Sequence, residues 1–468
     1  MRCCRFAALC GLLAFSALAA LTPAEQAAID RISADSLRGN LSFLASDALE
    51  GRATPSRGLD IAAEFIAAEF RRAGLEPIAK DNSYFQTAKL VEVTPNPQGV
   101  KLTLKSGNNE LEPGKNDLQI RARAAIDLER TPVFELPESG ALPAIEGKVV
   151  AGSSRVYGSE SAMIHLSAAK PSLILLVGRR RVGVDQGPSY LDERDSGSIP
   201  VIRIANAALA DELAARHPLT MSLHLSASRT KDVVARNVGA ILRGSDPVLR
   251  NQYVFLSAHY DHLGMSGDRI YNGANDNGSG TVSVIEIASA LAKMQSHPRR
   301  SIVFMAWYGE EEGLLGAYYY AHHPIVPMKD TVANINLEQM GRTDDESGRE
   351  VGKFAFTGPS YSDLPARLSA AAKQEQVGTW ARKDADSFFD RSDNYAFALA
   401  GVVAHTIVVA FEYPDYHGVG DHWEKLDYAN MAKVDKGVAA GLIEVANAAQ
   451  PPKWTESNST LIYRDAGK

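Results

Sequence analysis

Along residues 24–80 the apolar positions recur three and four apart. In "SLRGNLSFLASDALEGRAT" they are Leu37, Leu41, Leu44 and Leu49; in "GLDIAAEFIAAEFRRAGLEP" they are Ile61, Phe65, Ile66, Phe70 and Leu75. That spacing lays one apolar stripe along a helix, and the second stretch stops at Gly74 with Pro77 beyond it. From about 84 to 235 the pattern changes. Short β-prone runs ("VKLTLKS", "GKVVAGS", "SLILLVG", "IPVIRIA", "LTMSLHLSA") are separated by Gly, Pro, Ser and Asp, which predicts a β-rich module. From about 236 to 450 unbroken apolar runs alternate with amphipathic ones. "YVFLSAH" (253–259), "SIVFMAWY" (301–308), "VANINLEQM" (332–340), "KFAFTG" (353–358) and "GVVAHTIV" (401–408) read as strands. "SGTVSVIEIASALAKMQ" (279–295), a stretch from about Leu314, and "KVDKGVAAGLIEVANAA" read as helices. The alternation predicts an α/β fold whose central sheet is mixed, mainly parallel and covered by helices on both faces. Residues 24–83 would form its N-terminal part, 84–235 a β-rich insertion, 236–450 the remainder and 451–468 a tail.

Composition sharpens this picture at three points. The 468 residues, 45% hydrophobic and 22% charged, are those of a folded protein of two or three domains. The net charge is −7, and "GRRR" at 178–181 is the longest basic run, so no nucleic-acid partner is expected. At the N-terminus Arg2 and Arg5 precede an apolar stretch, Phe6–Phe15, that is too short to span a bilayer. Ala17 and Ala19 then supply the small residues of a cleavage site. Residues 1–19 thus read as a signal peptide, and a bacterial periplasmic or secreted protein with no stable membrane insertion after cleavage is expected. Cys3, Cys4 and Cys10 all lie in that segment. The mature chain then has no thiolate, and any metal site must be built from His, Asp and Glu.

In open α/β sheets, sites form at the carboxyl ends of the strands. His259 and Asp261 follow "YVFLSA"; Glu310, Glu311 and Glu312 follow "SIVFMAWYG"; Glu338 ends "VANINLE". Asp276 lies in the Gly-rich loop "YNGANDNGSG", and His417 in "FEYPDYHGVGD". Each alone has an ordinary explanation as turn chemistry or a solvated acid. Their joint appearance at successive strand ends points to a pair of dications. A carboxylate in a flexible loop can approach both, while another stays off the metal to take a proton from water. Adjacent glutamates at a strand end can divide these roles. His259 and Asp261, two apart on an extended chain, face the same way, so Asp261 can orient the imidazole.

These blocks ("AHYDHLG", "NGANDNGSG", "GEEEGLLGA", "NINLEQMGR" and "RSDNYAFALAG…DYHGVGD"), in this order, resemble the co-catalytic di-zinc exopeptidases. That family includes secreted bacterial aminopeptidases, glutamate carboxypeptidase II and glutaminyl cyclase. The likeness covers about 236–450 and the N-terminal "LASDALEGRATPSRGLDIAAEFIAAEFRRAGLEP". It implies a zinc-dependent aminopeptidase acting on peptides or small N-terminal amides, with two zinc ions per chain. His259, Asp276, Glu311, Glu338 and His417 would be the ligands, with Asp276 bridging. Glu310 would be the general base, Tyr416 the oxyanion stabiliser, and Ser392 and Asp393 pocket supports; Glu312 falls at a variable position. The inserted block looks like a protease-associated domain. Two departures stand out: Glu338 where relatives have Asp, and Asn394 where they have His. The longer Glu338 leaves open a single-zinc glutaminyl cyclase, and the fold alone leaves open a non-catalytic, receptor-like ectodomain. His262, His322, His323, His405 and His422 are read as structural or surface residues.

Overall fold

The computed structural model describes residues 20–96, 99–107, 109–158, 160–179, 189–191 and 199–466. The signal-peptide reading of 1–19 lies outside them. Seven strands carry the larger sheet: β1 (Phe85–Thr94), β2 (Arg229–Leu242), β3 (Tyr253–His259), β4 (Ser301–Trp307), β5 (Thr331–Glu338), β6 (Lys353–Phe356) and β7 (Ala404–Val408). They lie in the order β6-β7-β5-β3-β4-β2-β1, with the short strands Gly378–Thr379 and Ser189–Leu191 at the two edges. Parallel pairing is concentrated at the centre, where β3 joins β4 and β5, and β5 joins β7. The flanks are antiparallel: β2 on β4, β1 on β2, β6 on β7. The sheet is mixed as expected, but its parallel part is narrower than "mainly parallel" implies.

The unbroken apolar runs are explained by burial on both faces. In β3, Val254 and Leu256 enter the core shared with the helices Arg57–Ala73, Gly280–Leu291 and Tyr428–Asn447. Phe255 points into the opposite core, with Leu315–His322 and Asn394–Leu399. There Phe255, Trp307, Tyr320 and Phe397 form a ring cluster with centroids 5.1 to 5.9 Å apart, a firm floor beneath the strand ends. From β3 the chain crosses to β4 through one helix, and from β4 it crosses back over β3 to β5 through another. The reversal at β3 opens a crevice at its carboxyl end.

Two departures from the sequence pattern have local causes. The helix carrying Leu37, Leu41 and Leu44 ends at Leu44, and Leu49 lies in a tight turn, Asp47–Arg52, where Glu50 (φ 50°) and Gly51 (φ 71°) are left-handed. The turn drives Arg52 inward. It is fully buried and donates to the carbonyls of Leu44, Tyr260, Asn272 and Gly273 at 2.6 to 2.9 Å. The second departure concerns the insertion. An eight-stranded sheet with its own core spans Val100 to Leu225. Phe85–Thr94 and Arg229–Leu242 instead belong to the larger sheet, paired from Arg229↔Thr94 to Val238↔Phe85. The first residues of β2 are mostly exposed and the last buried, so the smaller unit hangs from a two-stranded ribbon rooted in the larger sheet. No helix among the described residues is long and apolar enough to cross a membrane.

His405, in β7, is structural. It is fully buried, its Nδ1 donates to the Thr357 carbonyl at 2.9 Å and its Nε2 accepts from the Ser362 hydroxyl at 2.6 Å. Burial pushes its pKa down to about 4. The unfolded value is about 6.5, so between the two the unfolded chain binds the extra proton. This contribution is complete above pH ~6.5 and is lost as pH falls toward 4, on the order of 3 kcal/mol. Chemical denaturation of the metal-free protein from pH 7 to 4 should show wild type losing about that much more stability than His405→Asn. Parallel losses in the two proteins would remove His405 from the account.

Candidate active site

The loop after β3 is held in place from three sides. Asp421, fully buried, accepts the amides of Asn275 (3.0 Å) and Asp276 (3.1 Å) and the hydroxyl of Tyr413 (2.9 Å). The Asn275 side chain accepts the amides of Gly341 and Arg342, and Ser279 Oγ accepts that of Met340. Asn277 donates to the Leu337 carbonyl at 2.8 Å. The loop bearing Asp276 is thereby locked to the strand end bearing Glu338. Gly273 (φ 57°) permits the close fit: a Cβ there would lie 2.4 Å from the His262 ring.

Asp276 stands between two histidines. Its Oδ1 is 3.6 Å from His259 Nε2, and its Oδ2 is 3.1 Å from His417 Nε2. Glu338 Oε1 lies 3.3 Å from His259 Nε2, and Glu311 Oε2 lies 3.4 Å from His417 Nε2. Two donor sets share one carboxylate: His259, Asp276 and Glu338 on one side, Asp276, Glu311 and His417 on the other. Glu310 Oε2 is 3.8 Å from His259 Nε2, and its amide donates to Asp261 Oδ1 at 3.1 Å. Asp261 also lies against His259 Nδ1, through its carbonyl at 3.2 Å and its carboxylate at 3.4 Å. That contact leaves Nε2 to face the acids. Ser392 donates to Glu338 Oε1 at 2.6 Å. Asp393 is fully buried, with neither oxygen hydrogen-bonded among the described residues. Tyr416 is half-exposed and stacks on His417 with centroids 4.1 Å apart. Asn394 takes a structural place, accepting from Thr406 and donating to the Phe389 carbonyl.

His262 corrects the sequence reading, which set it aside. Its Nδ1 lies 2.8 Å from Glu311 Oε1, its ring centroid is 5.7 Å from that of His417, and its buried Nε2 has no hydrogen-bond partner among the described residues. Two groups among the described residues are compact enough for an ion: His259, Asp276 and Glu338, and His262, Asp276 and Glu311. His417 is the better third member, because its Nε2 faces both Asp276 and Glu311, while the short His262–Glu311 contact makes His262 an orienting partner of that carboxylate. The stretch "AHYDHLG" carried the signal for His262. The strand ends at His259, so the two-residue alternation that pairs His259 with Asp261 says nothing about position 262. Arg52 and Asp421 carried no signal of their own, since both act through backbone groups distant in sequence.

The electrostatics favour bound cations. Burial pushes the carboxyls of Glu310, Glu338 and Asp393 upward, with His259 opposing this in each case. Burial also works against the charge on Asp276, but His417, His262 and His259 outweigh it and its carboxyl lies well below the usual range. Burial lowers His417, yet Asp276 and Glu311 dominate and raise it to about 9. Arg52, the fully buried arginine near these acids, is lowered to about 10 by burial despite Asp261, Asp421 and Asp276. Buried carboxylates beside so few cationic groups are either protonated or held by bound cations, and their convergence on two histidines suits dications. The nitrogen and oxygen donor set suits zinc.

The model of peptidase family M28 matches residues 237–442. Aminopeptidase YwaD of Bacillus subtilis (strain 168) is 29% identical over 208 residues, 43% of this chain and 42% of that protein. A probable leucine aminopeptidase 2 of Aspergillus oryzae is 26% identical over 393 residues, 77% of this chain and 75% of that protein. Among solved structures, an aminopeptidase from Aneurinibacillus sp. strain AM-1 superposes with a TM-score of 0.60 at 18% identity, covering 91% of this chain and 96% of that one. A zinc aminopeptidase from Bacillus subtilis gives 0.52 at 20% identity, covering 88% and 94%. At these identities the structural likeness establishes the fold.

Proposed function

We propose that this protein, whose residues 237–442 match the model of peptidase family M28, is a zinc-dependent aminopeptidase that removes N-terminal residues from peptides. The observation that carries the reading is Asp276, whose two oxygens face His259 and His417 from opposite sides. His259, Asp276 and Glu338 would hold one zinc, and Asp276, Glu311 and His417 the other. The pair supplies Lewis acidity when bound. Glu310, outside both sets and made more basic by burial, takes the proton from the attacking water and delivers it to the leaving amine nitrogen. Asp261 fixes Glu310 through its amide and fixes His259 through its ring. Ser392 holds one oxygen of the longer Glu338, and Tyr416 is the oxyanion donor. Asp393 supports the pocket behind His259 and Glu338. The insertion belongs to this proposal as a protease-associated domain, as does export directed by residues 1–19.

Acids and histidines stand on both sides of Asp276, which favours the aminopeptidase over a single-zinc glutaminyl cyclase and over a receptor-like ectodomain. The deciding experiment is a panel of aminoacyl-chromophore substrates and Gln-peptides on the purified protein, with and without a chelator. Hydrolysis of aminoacyl amides that is abolished by chelation and restored by zinc is expected. Cyclisation of Gln-peptides without hydrolysis, or no turnover of either, would overturn the reading.

A further inference from the structure

Between the helix Ala34–Leu44, the segment after β5 and the start of the helix Tyr428–Asn447 lies a cavity of about 450 Å³, lined by none of the residues proposed to hold zinc. Four of its side chains are cationic, Arg38, Arg342, Arg349 and Lys425, against two acids, Asp344 and Asp427. The acids are already engaged. Arg342, itself buried, clasps Asp344 with contacts of 2.8 and 2.6 Å and reaches Asp415 at 2.7 Å. Lys425 meets the same Asp415 oxygen at 3.0 Å. Asp427 caps the helix by accepting the Asn430 amide at 3.0 Å.

That leaves two arginines uncompensated. Arg38 lies over the Tyr428 ring at 5.0 Å, and neither Arg38 nor Arg349 has a carboxylate partner among the described residues. Tyr428 and Ala429 line the cavity at the first turn of a 20-residue helix. The Asn430 amide is already taken by Asp427, which leaves the Tyr428 and Ala429 amides without an intrahelical acceptor at a helix end whose dipole favours negative charge. Planar guanidinium groups beside such donors match a tetrahedral or carboxylate oxyanion.

We propose that this cavity binds a small, multiply charged oxyanion, a phosphate or a polycarboxylate, held by Arg38, Arg349 and Lys425 at the helix start. The site adjoins the active-site loop, because Asp415, which Arg342 and Lys425 share, lies two residues before His417. The test reads binding rather than turnover, so its result is independent of the peptidase reading. Inorganic phosphate and tricarballylate are titrated calorimetrically into the zinc-loaded full chain at fixed ionic strength, and into Arg38→Gln/Arg349→Gln. Saturable binding of one anion per chain is expected, with Kd raised at least tenfold in the double variant. The arm that binds tells phosphate from carboxylate ligands. If the double variant misfolds, the single exposed change Arg349→Gln carries the comparison and should also weaken binding. No saturable binding of either anion overturns the proposal. So does equal binding by wild type and variant, which would place the anion at the metal centre instead.

Discussion

Glu310→Gln is expected to lower kcat on aminoacyl substrates by about a thousandfold while zinc content stays at wild-type level, a loss within the range for a positioned general base. The amide is nearly isosteric with the carboxylate, and the residue stands outside both donor sets. Its backbone amide bond to Asp261 Oδ1 survives the change, so the loop keeps its place. What disappears is a proton acceptor whose basicity burial has raised. Because the group acts on the proton in flight, kcat should fall with little change in KM. Steady-state kinetics with elemental analysis of the same preparation decides the matter. Turnover within tenfold of wild type at full zinc would remove Glu310 from the mechanism.

The residues proposed to hold zinc stand out in the sequence because the fold puts them at strand ends. Parallel strands buried on both faces must be apolar throughout, and a polar residue that ends such a run stands at the rim of the sheet. His259, the residues after Trp307, and Glu338 announce themselves by interrupting "YVFLSA", "SIVFMAWYG" and "VANINL". What the pattern does not encode is the support around them. Arg52 binds four carbonyls from three segments, and Asp421 binds the amides of a loop some 145 residues away. Backbone partners leave no trace in residue type. Nor did hydropathy mark where the insertion begins, since β1 and β2 alternate like the strands of the smaller sheet but are paired with the larger one. The cationic residues around the cavity by Tyr428, Arg38, Arg342, Arg349 and Lys425, come from positions too scattered for any charge run to reveal.

Glu338 shows how a sequence departure is absorbed. The extra methylene relative to Asp carries Oε1 to 3.3 Å from His259 Nε2, and the Ser392 hydroxyl holds the same oxygen at 2.6 Å. The added rotamer freedom is thus restrained by one short hydrogen bond.

Asp276→Ala is expected to remove both zinc ions at once and to abolish activity, whereas His417→Ala and Glu338→Ala should each weaken one. The asymmetry follows from geometry: among the proposed ligands, only Asp276 faces both histidines. Its deletion leaves each ion two protein donors, too few for a stable zinc site. The fold should survive, because the contact with Asp421 runs through the Asp276 amide and not its side chain. The pocket would also lose one of the buried negative charges that call for cations. Zinc per chain, measured after dialysis against a weak chelator, should fall from two to near zero for Asp276→Ala and to about one for His417→Ala. A variant at Asp276 that kept one tightly held zinc would refute the bridge and turn the reading toward a single-metal acyltransferase, with the surviving ion located by which of the other two substitutions then removes it.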